Sequence, residues 1–388
     1  MRLKKIILLL LSLILFLTYP VDAYAENEDV LNITSESVLL MEASTGTTIY
    51  EKNADQQLHP ASITKIMTLI LIFDALEEGR IKKDDVVRVS EYAASMGGSQ
   101  VFLEAGEEQT VDTLIKCIAV ASANDGCVAM AEYIWGSETA FVEKMNERAA
   151  GLGMTNTTFV NCCGLDVDGH MTTARDVAIM SRELTTRYPD IFNYTQIWME
   201  NIIHTTARGS SEFGLANTNK LIKQYSYATG LKTGSTGLAK YCVSATATKD
   251  GIDLIAVVMA APDYKVRFSE ATALLEYGFA ACRLYRDEEP PVLGEMKVNG
   301  GVEDVVPMMY GEAFSWLSMD GGDFSGIEKS LELPESVEAP VEEGQVLGSL
   351  VYRMNGEELG RTEILAAGNV EAAGFLDYLS EVFEFWKL

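Results

Sequence analysis

The chain holds only three histidines in 388 residues, and none of its six cysteines stands in C-x-x-C spacing. That poverty argues against a zinc site, whose usual ligands are neutral imidazoles and closely spaced thiolates. It also argues against a metallopeptidase and against a Ser-His-Asp triad. His170 stands just before a helix start, where a structural hydrogen bond is its first use. Basic residues are scarce as well: 30 Lys and Arg face 57 Asp and Glu, for a net charge of -27. With no basic stripe to displace counterions from phosphates, nucleic acid is not expected as a partner. The acidic balance reads as a solvated surface. Cys117, Cys127, Cys162, Cys163, Cys242 and Cys282 could pair in an oxidising compartment but form no dense disulfide framework, and the sequence leaves their state open. Cys117 and Cys127 lie in apolar helical sequence and read as small core residues, and adjacent Cys162 and Cys163 resist bridging each other. The apolar run Ile6–Leu17 is shorter than a comfortable membrane span. It follows Arg2, Lys4 and Lys5 and precedes Ala23-Tyr24-Ala25. That order predicts a cleavable signal peptide over 1–25 and an exported protein starting at Glu26.

What the chain does contain is enough apolar sequence, 48% of the residues, for a large core and two domains. Alternation on both sides of Ser44-Thr45-Gly46 predicts a hairpin. After Pro60, Ser62 opens a helix whose apolar positions Ile66, Leu69, Ile70 and Phe73 keep helical spacing to Gly79. Val111 to Trp135 is apolar and helical apart from a polar break at Ser122–Gly126. A further helix is expected over 171–184, starting at Thr172/Thr173. Lys249-Asp250-Gly251, between "YCVSATAT" and "IDLIAVVMA", is the strongest hairpin signal. A helix from Phe268 to about Phe279 follows. Five of the nine prolines fall between 290 and 340, among short alternating segments. The chain therefore divides into a domain over 26–287, a smaller β-rich domain over 288–369, and a tail over 370–388. In that tail Phe375, Leu376, Leu379, Val382, Phe383 and Trp386 form one helical stripe. The tail either packs on its own domain or lies in a membrane interface, and its terminal, aromatic-rich character favours the membrane.

Ser62-Ile63-Thr64-Lys65 places a hydroxyl and an ammonium on one face of a helix start. A free serine is a poor nucleophile, and a desolvated lysine beside it can act as its base. The helix N-terminus adds N–H groups suited to a developing oxyanion. Chance produces S-x-x-K often, so the motif alone carries little. Two further clusters change its weight. Ser122-Ala123-Asn124 sits in the polar break, and Lys232-Thr233-Gly234 precedes a hairpin strand, where it can present a cation and a hydroxyl along a sheet edge.

The ordered set S-x-x-K, S-x-N and K-T-G resembles that of the penicillin-binding proteins and class A β-lactamases. With "HPASITKIMT", "SANDGCVAMAEYIWGS", "GHMTTARDVAIMSREL" and "TGLKTGSTGLAKYC", residues 35–285 resemble the low-molecular-mass D-alanyl-D-alanine carboxypeptidases. The resemblance implies an α/β (α+β) catalytic domain of the serine β-lactamase/transpeptidase type, its antiparallel sheet flanked by helices, plus a small C-terminal β-rich domain and an amphipathic tail. It also implies a carboxypeptidase that removes the terminal D-alanine of peptidoglycan stem peptides, binds β-lactam antibiotics covalently and needs no cofactor or metal. Ser62 would be acylated, with Lys65 as its base and Ser122 as proton relay. Asn124 would hold the substrate amide. Lys232, Thr233 and Gly234 would line the substrate strand, with Arg267 at the carboxylate. Ser235 follows K-T-G where some members carry histidine. A β-lactamase would carry a glutamate before the third motif, yet none occurs between Glu147 and Glu183. A D,D-endopeptidase of the same fold and a non-catalytic sensor of β-lactams or wall fragments are the competing functions.

Overall fold

Ser44-Thr45-Gly46 closes the predicted hairpin between strands β1 (Ser37–Glu42) and β2 (Thr48–Lys52). The buried Glu42 carboxylate accepts from the main-chain N–H and the hydroxyl of both Ser44 and Thr45, which pins the turn from within. The structure, a computed structural model, describes residues 31–206, 208–319, 321–379 and 386. The expected signal peptide over 1–25 lies outside those residues, and the contact pattern separates Met1–Ile33 from Thr34–Leu388.

Three more strands, β3 (Ala228–Thr236), β4 (Lys240–Lys249) and β5 (Ile252–Ala261), complete an antiparallel sheet in the order β2-β1-β5-β4-β3. Asp250 and Gly251 between β4 and β5 have φ of 51° and 78°. Two consecutive positive φ values are what a two-residue hairpin turn demands, so the Asp-Gly signal is read out directly. Strand alternation gives the sheet two apolar faces. Leu39, Met41, Ile255, Val257 and Met259 join the core beneath helices α1 (Lys65–Glu77), α2 (Val111–Ala121), α3 (Asn124–Trp135), α4 (Glu138–Gly151) and α5 (Ala174–Arg187). Leu40 and Leu254 point the other way, onto Gly278 of α6 (Tyr264–Ala281).

Helix α1 is buried all round, Met67, Leu71 and Ile72 as well as the expected stripe, because it runs through the centre of the helical layer. The helix expected from Thr172/Thr173 begins at Ala174, since Thr173 is its N-cap and accepts from Asp176 N–H. Helix α6 starts four residues before Phe268 because Asp263 caps it. The polar break narrows to Ser122-Ala123. Helix α4 and a hairpin of Met199–Thr206 with Gly209–Ala216 were not anticipated.

The proline-rich region forms a second sheet of β6 (Glu295–Asn299), β7 (Val305–Tyr310), β8 (Ile327–Glu332), β9 (Val337–Glu338), β10 (Val346–Met354) and β11 (Glu357–Ala366), ordered β8-β10-β11-β7-β6-β9. Val306, Val341, Leu347 and Val370 fill one core cluster. Tyr352 stacks on Phe314 at 3.8 Å and donates its hydroxyl to Asp287.

Candidate active site

Ser62 lies in a 3-10 turn, Ala61–Thr64, that runs directly into α1, so Lys65 follows it on the same face. Lys65 is fully buried. Its Nζ donates to Ser62 Oγ at 3.0 Å, to Asn124 Oδ1 at 2.7 Å and to the Cys163 main-chain oxygen at 2.6 Å. Three acceptors match the three N–H bonds of an ammonium, which is what makes its burial tolerable.

The turn that carries Ser62 is clamped from two sides. Ala61 adopts a φ of 47°. A Cβ on Gly164 would stand 1.8 Å from the Ala61 carbonyl oxygen, and one on Gly234 would stand 2.9 Å from both Ser62 N and Pro60 O. Only glycine permits these approaches, and the second brings edge strand β3 against the Ser62 turn. The Cys163 carbonyl is presented by a tight turn in which Asn161 Oδ1 accepts from the N–H groups of Cys163, Gly164 and Leu165 at 3.1, 2.7 and 3.1 Å.

Helix α2 ends at Ser122, whose left-handed φ of 63° turns the chain towards the cleft. Lys232 Nζ, on β3, donates to Ser122 Oγ at 2.9 Å and to the Thr233 carbonyl at 2.9 Å. Burial, reinforced by the nearby Lys65 charge, holds Lys232 well below the ordinary lysine range. The Asn124 amide is occupied at both ends: Oδ1 takes Lys65, and Nδ2 donates to the Gly97 carbonyl at 2.7 Å. Thus Asn124, assigned from sequence to a substrate amide, is here a crosspiece between Lys65 and the Gly97 loop. Thr233 Oγ1 donates to Thr218 Oγ1 at 2.7 Å. Arg267 rises from the first turn of α6 and grips the rear of β3, donating to the carbonyls of Gly234 at 3.0 Å and Cys242 at 3.3 Å. Gly234 and Cys242 face each other across the β3–β4 ladder, so one guanidinium staples that register.

His170 serves structure. Its Nδ1 accepts from Val160 N–H at 3.0 Å, so Nε2 carries the proton and donates to Thr64 Oγ1 at 2.8 Å. Burial, together with the charge of His59, lowers its pKa to about 4 and keeps the ring neutral. Behind Lys65, the Cys163 thiol donates to the Asn124 main-chain carbonyl at 3.5 Å and lies 3.6 Å from the Cys162 sulfur. All six cysteines are buried and unpaired.

The structure brings together in one place the residues singled out from the sequence: Ser62, Lys65, Ser122, Asn124, Lys232, Thr233 and Gly234. Arg267 joins them from behind the strand. Asn161, Thr218 and the Cys163 carbonyl were missed. So was Asp166, whose carboxylate accepts from Thr236 Oγ1 at 2.7 Å and ties the 161–170 loop to β3. A main-chain carbonyl leaves no mark in sequence; Asn161 and Gly164 in "NCCGLDVDG" were the only available signal.

A family model described as D-alanyl-D-alanine carboxypeptidase matches residues 23–263, and one described as penicillin-binding protein 5, C-terminal domain, matches residues 282–372. The chain belongs to the D-alanyl-D-alanine carboxypeptidase family. Within that family it is 40% identical to D-alanyl-D-alanine carboxypeptidase DacF of Bacillus subtilis, over 99% of both chains. It is 33% identical to DacC of Escherichia coli, over 97% of this chain and 95% of that one. Among solved structures, penicillin binding protein 5 from Haemophilus influenzae superposes with a TM-score of 0.72 at 30% identity, covering 87% of this chain and 98% of the other. The expected fold, a helix-flanked antiparallel sheet followed by a β-rich C-terminal part, is that of these penicillin-binding proteins.

Proposed function

We propose that this protein is an exported D-alanyl-D-alanine carboxypeptidase that removes the terminal D-alanine of peptidoglycan stem peptides through an acyl-enzyme on Ser62, and that β-lactams acylate the same serine. The observation that carries this reading is the set of partners around Lys65. Two of its three acceptors, Asn124 Oδ1 and the Cys163 carbonyl, can never donate a hydrogen bond. Only Ser62 Oγ can exchange roles. When Lys65 is neutral, its lone pair therefore faces the serine hydroxyl, which is the geometry of a general base.

The steps follow from that pairing. Ser62 Oγ passes its proton to Lys65 and attacks the carbonyl carbon of the penultimate D-alanine. The Ser62 N–H and the strand after Gly234 receive the developing oxyanion. As the C–N bond breaks, the proton taken up by Lys65 is relayed through the Ser122 hydroxyl to the leaving D-alanine amine, so Lys65 is neutral and Ser122 protonated again, with the Ser122 oxygen held by Lys232. Water then cleaves the ester and regenerates Ser62. Lys232, Thr233 and Thr218 present a cation and two hydroxyls to the terminal carboxylate, and Arg267 adds positive charge behind Gly234. No step calls for a cofactor.

The tail belongs to the same proposal. Residues 370–373 are still bonded to the second sheet, through Val341–Val370 and Gly300–Ala373. In the short helical turn that follows, Phe375 and Leu376 are 79% and 75% exposed, so these described members of the apolar stripe are not covered by the protein's own sheet. Val382 and Phe383 lie outside the described residues. No helix among the described residues is long and apolar enough to cross a membrane. We assign the stripe to the outer surface of the cytoplasmic membrane, where it would hold the enzyme peripherally.

The deciding measurement is D-alanine release from a model pentapeptide, paired with intact-mass detection of a penicilloyl group. Wild type releases D-alanine and gains one adduct, whereas Ser62→Ala does neither. An adduct persisting on Ser62→Ala would overturn the assignment. An adduct on wild type without D-alanine release would mark a sensor.

A further inference from the structure

Cys162 and Cys163 are sequence neighbours, yet their sulfurs turn into one buried space 3.6 Å apart. Glu138, in the first turn of α4, completes the group: one ligand atom from each residue lies within 4.8 Å of the others. Two thiolates on a tetrahedral ion, with metal–sulfur bonds of about 2.3 Å, stand about 3.8 Å apart. The observed spacing fits a shared ion. A disulfide would instead need the sulfurs drawn to about 2 Å across a single peptide unit. The carboxylate is already oriented as a ligand, since Glu138 accepts from Cys162 N–H at 3.1 Å and from Tyr92 OH at 2.6 Å. Tyr92 is half exposed and Glu138 only partly buried, so the carboxylate end of the group lies nearest to solvent while both cysteines are buried.

We propose that Cys162, Cys163 and Glu138 bind one thiophilic divalent cation of the zinc or cadmium class, with water as fourth ligand. Spacing along the sequence hid this site, because adjacent cysteines match no common zinc pattern and Glu138 is 24 residues from Cys162. On binding, two S–H bonds are lost as two metal–thiolate bonds form, and two protons leave to solvent. Two thiolates and a carboxylate around a divalent ion leave one net negative charge, and the Lys65 ammonium stands on the other side of Cys163. The Cys163 proton that departs is the one donated to the Asn124 carbonyl at 3.5 Å. Cys163 and Asn124 both hold Lys65, so metal loading loosens that cradle and slows acylation of Ser62. This second half rests on the proposed function; the binding itself does not.

The test is titration of the reduced full-length protein with cadmium, read by the ultraviolet thiolate-to-cadmium absorption, with zinc as competitor. The expected result is one cadmium per chain, displaced by zinc, lost in Cys162→Ser and Cys163→Ser, and weakened about tenfold or more in Glu138→Gln. Absence of the band in wild type would overturn the site, as would a band of unchanged strength in a folded double serine variant. If the serine variants do not fold, Glu138→Gln decides, and affinity within about twofold of wild type would sink the proposal. Penicillin labelling is measured in parallel. Labelling that slows with cadmium and recovers with chelator supports the coupling. Labelling indifferent to a bound ion overturns the coupling. Should labelling fail without metal too, the functional reading fails, and the absorption band still reports on the site.

Discussion

Two fully buried lysines share this site, and their partners separate their roles. Lys65 touches the one hydroxyl in its cradle that can give up a proton, so Lys65→Arg keeps the charge but removes the base. That variant is expected to lose penicillin acylation by about a hundredfold or more at neutral pH, measured by labelling rate, within the range general-base loss produces. Lys232 is different: a desolvated cation whose charge the fold disfavours. Lys232→Met removes that burden while keeping the volume, so thermal stability holds or rises while the acylation rate falls. A melting temperature lower by several degrees would contradict this reading. His170 supplies a pH signature. Its folded pKa of about 4 lies below the ordinary 6.5, so the native state resists a proton that the unfolded chain accepts. The stabilisation is fully present above pH 6.5 and is lost as pH falls towards 4, a span worth roughly 3 kcal/mol. His170→Asn has no titrating ring. In denaturant unfolding, the stability gap between the two proteins should therefore shrink across that window. A gap independent of pH would show that the neutral ring is not what the fold requires.

At the scale of elements, the site depends on backbone segments brought unusually close. The Asn161 turn aims one carbonyl at Lys65, with three N–H groups held by one side-chain oxygen. Asn161→Ala frees those donors in a partly buried loop, which should cost about 1–3 kcal/mol. Because the turn also orients the Cys163 carbonyl, labelling should slow by more than the loss of stability explains. A variant that melts early but labels at the wild-type rate would confine Asn161 to the loop. On β3, Gly234→Ala would drive a methyl into Ser62 N and Pro60 O. Strand and turn must then part, and acylation should drop at least about tenfold even where the sheet survives, since small displacements at a reacting centre cost that much.

For the whole molecule, the acidic surface and the apolar stripe of the tail pull in opposite directions. Anionic lipids repel a chain of net charge -27, whereas the apolar stripe gains on leaving water. Burying five or six large side chains at about 1.5–3 kcal/mol each outweighs that repulsion even after partial insertion is allowed for. Mature full-length protein should float with liposomes, and a chain ending at Asn369 should not. Equal, negligible flotation would return the tail to a packing or dimer role. Raised salt should leave the binding intact or strengthen it, because screening weakens only the repulsion.

Local physics wrote much of this protein into its sequence. Asp250-Gly251 could only be a tight hairpin, since it supplies two positive φ values at little steric cost. Ser62 and Lys65 were bound to meet, because a helical start places residues three apart on one face. What no local rule could decide was which distant groups would complete the site. Lys65 needed acceptors from residues 124 and 163, and Ser122 met Lys232 across 110 positions. Those contacts arise only when the helical layer, the 161–170 loop and the edge strand pack around one turn. The pairing of Cys162 with Glu138 has the same origin. Spacing in sequence governs contacts within one element, whereas contacts between elements are set by which apolar faces the folded chain must cover.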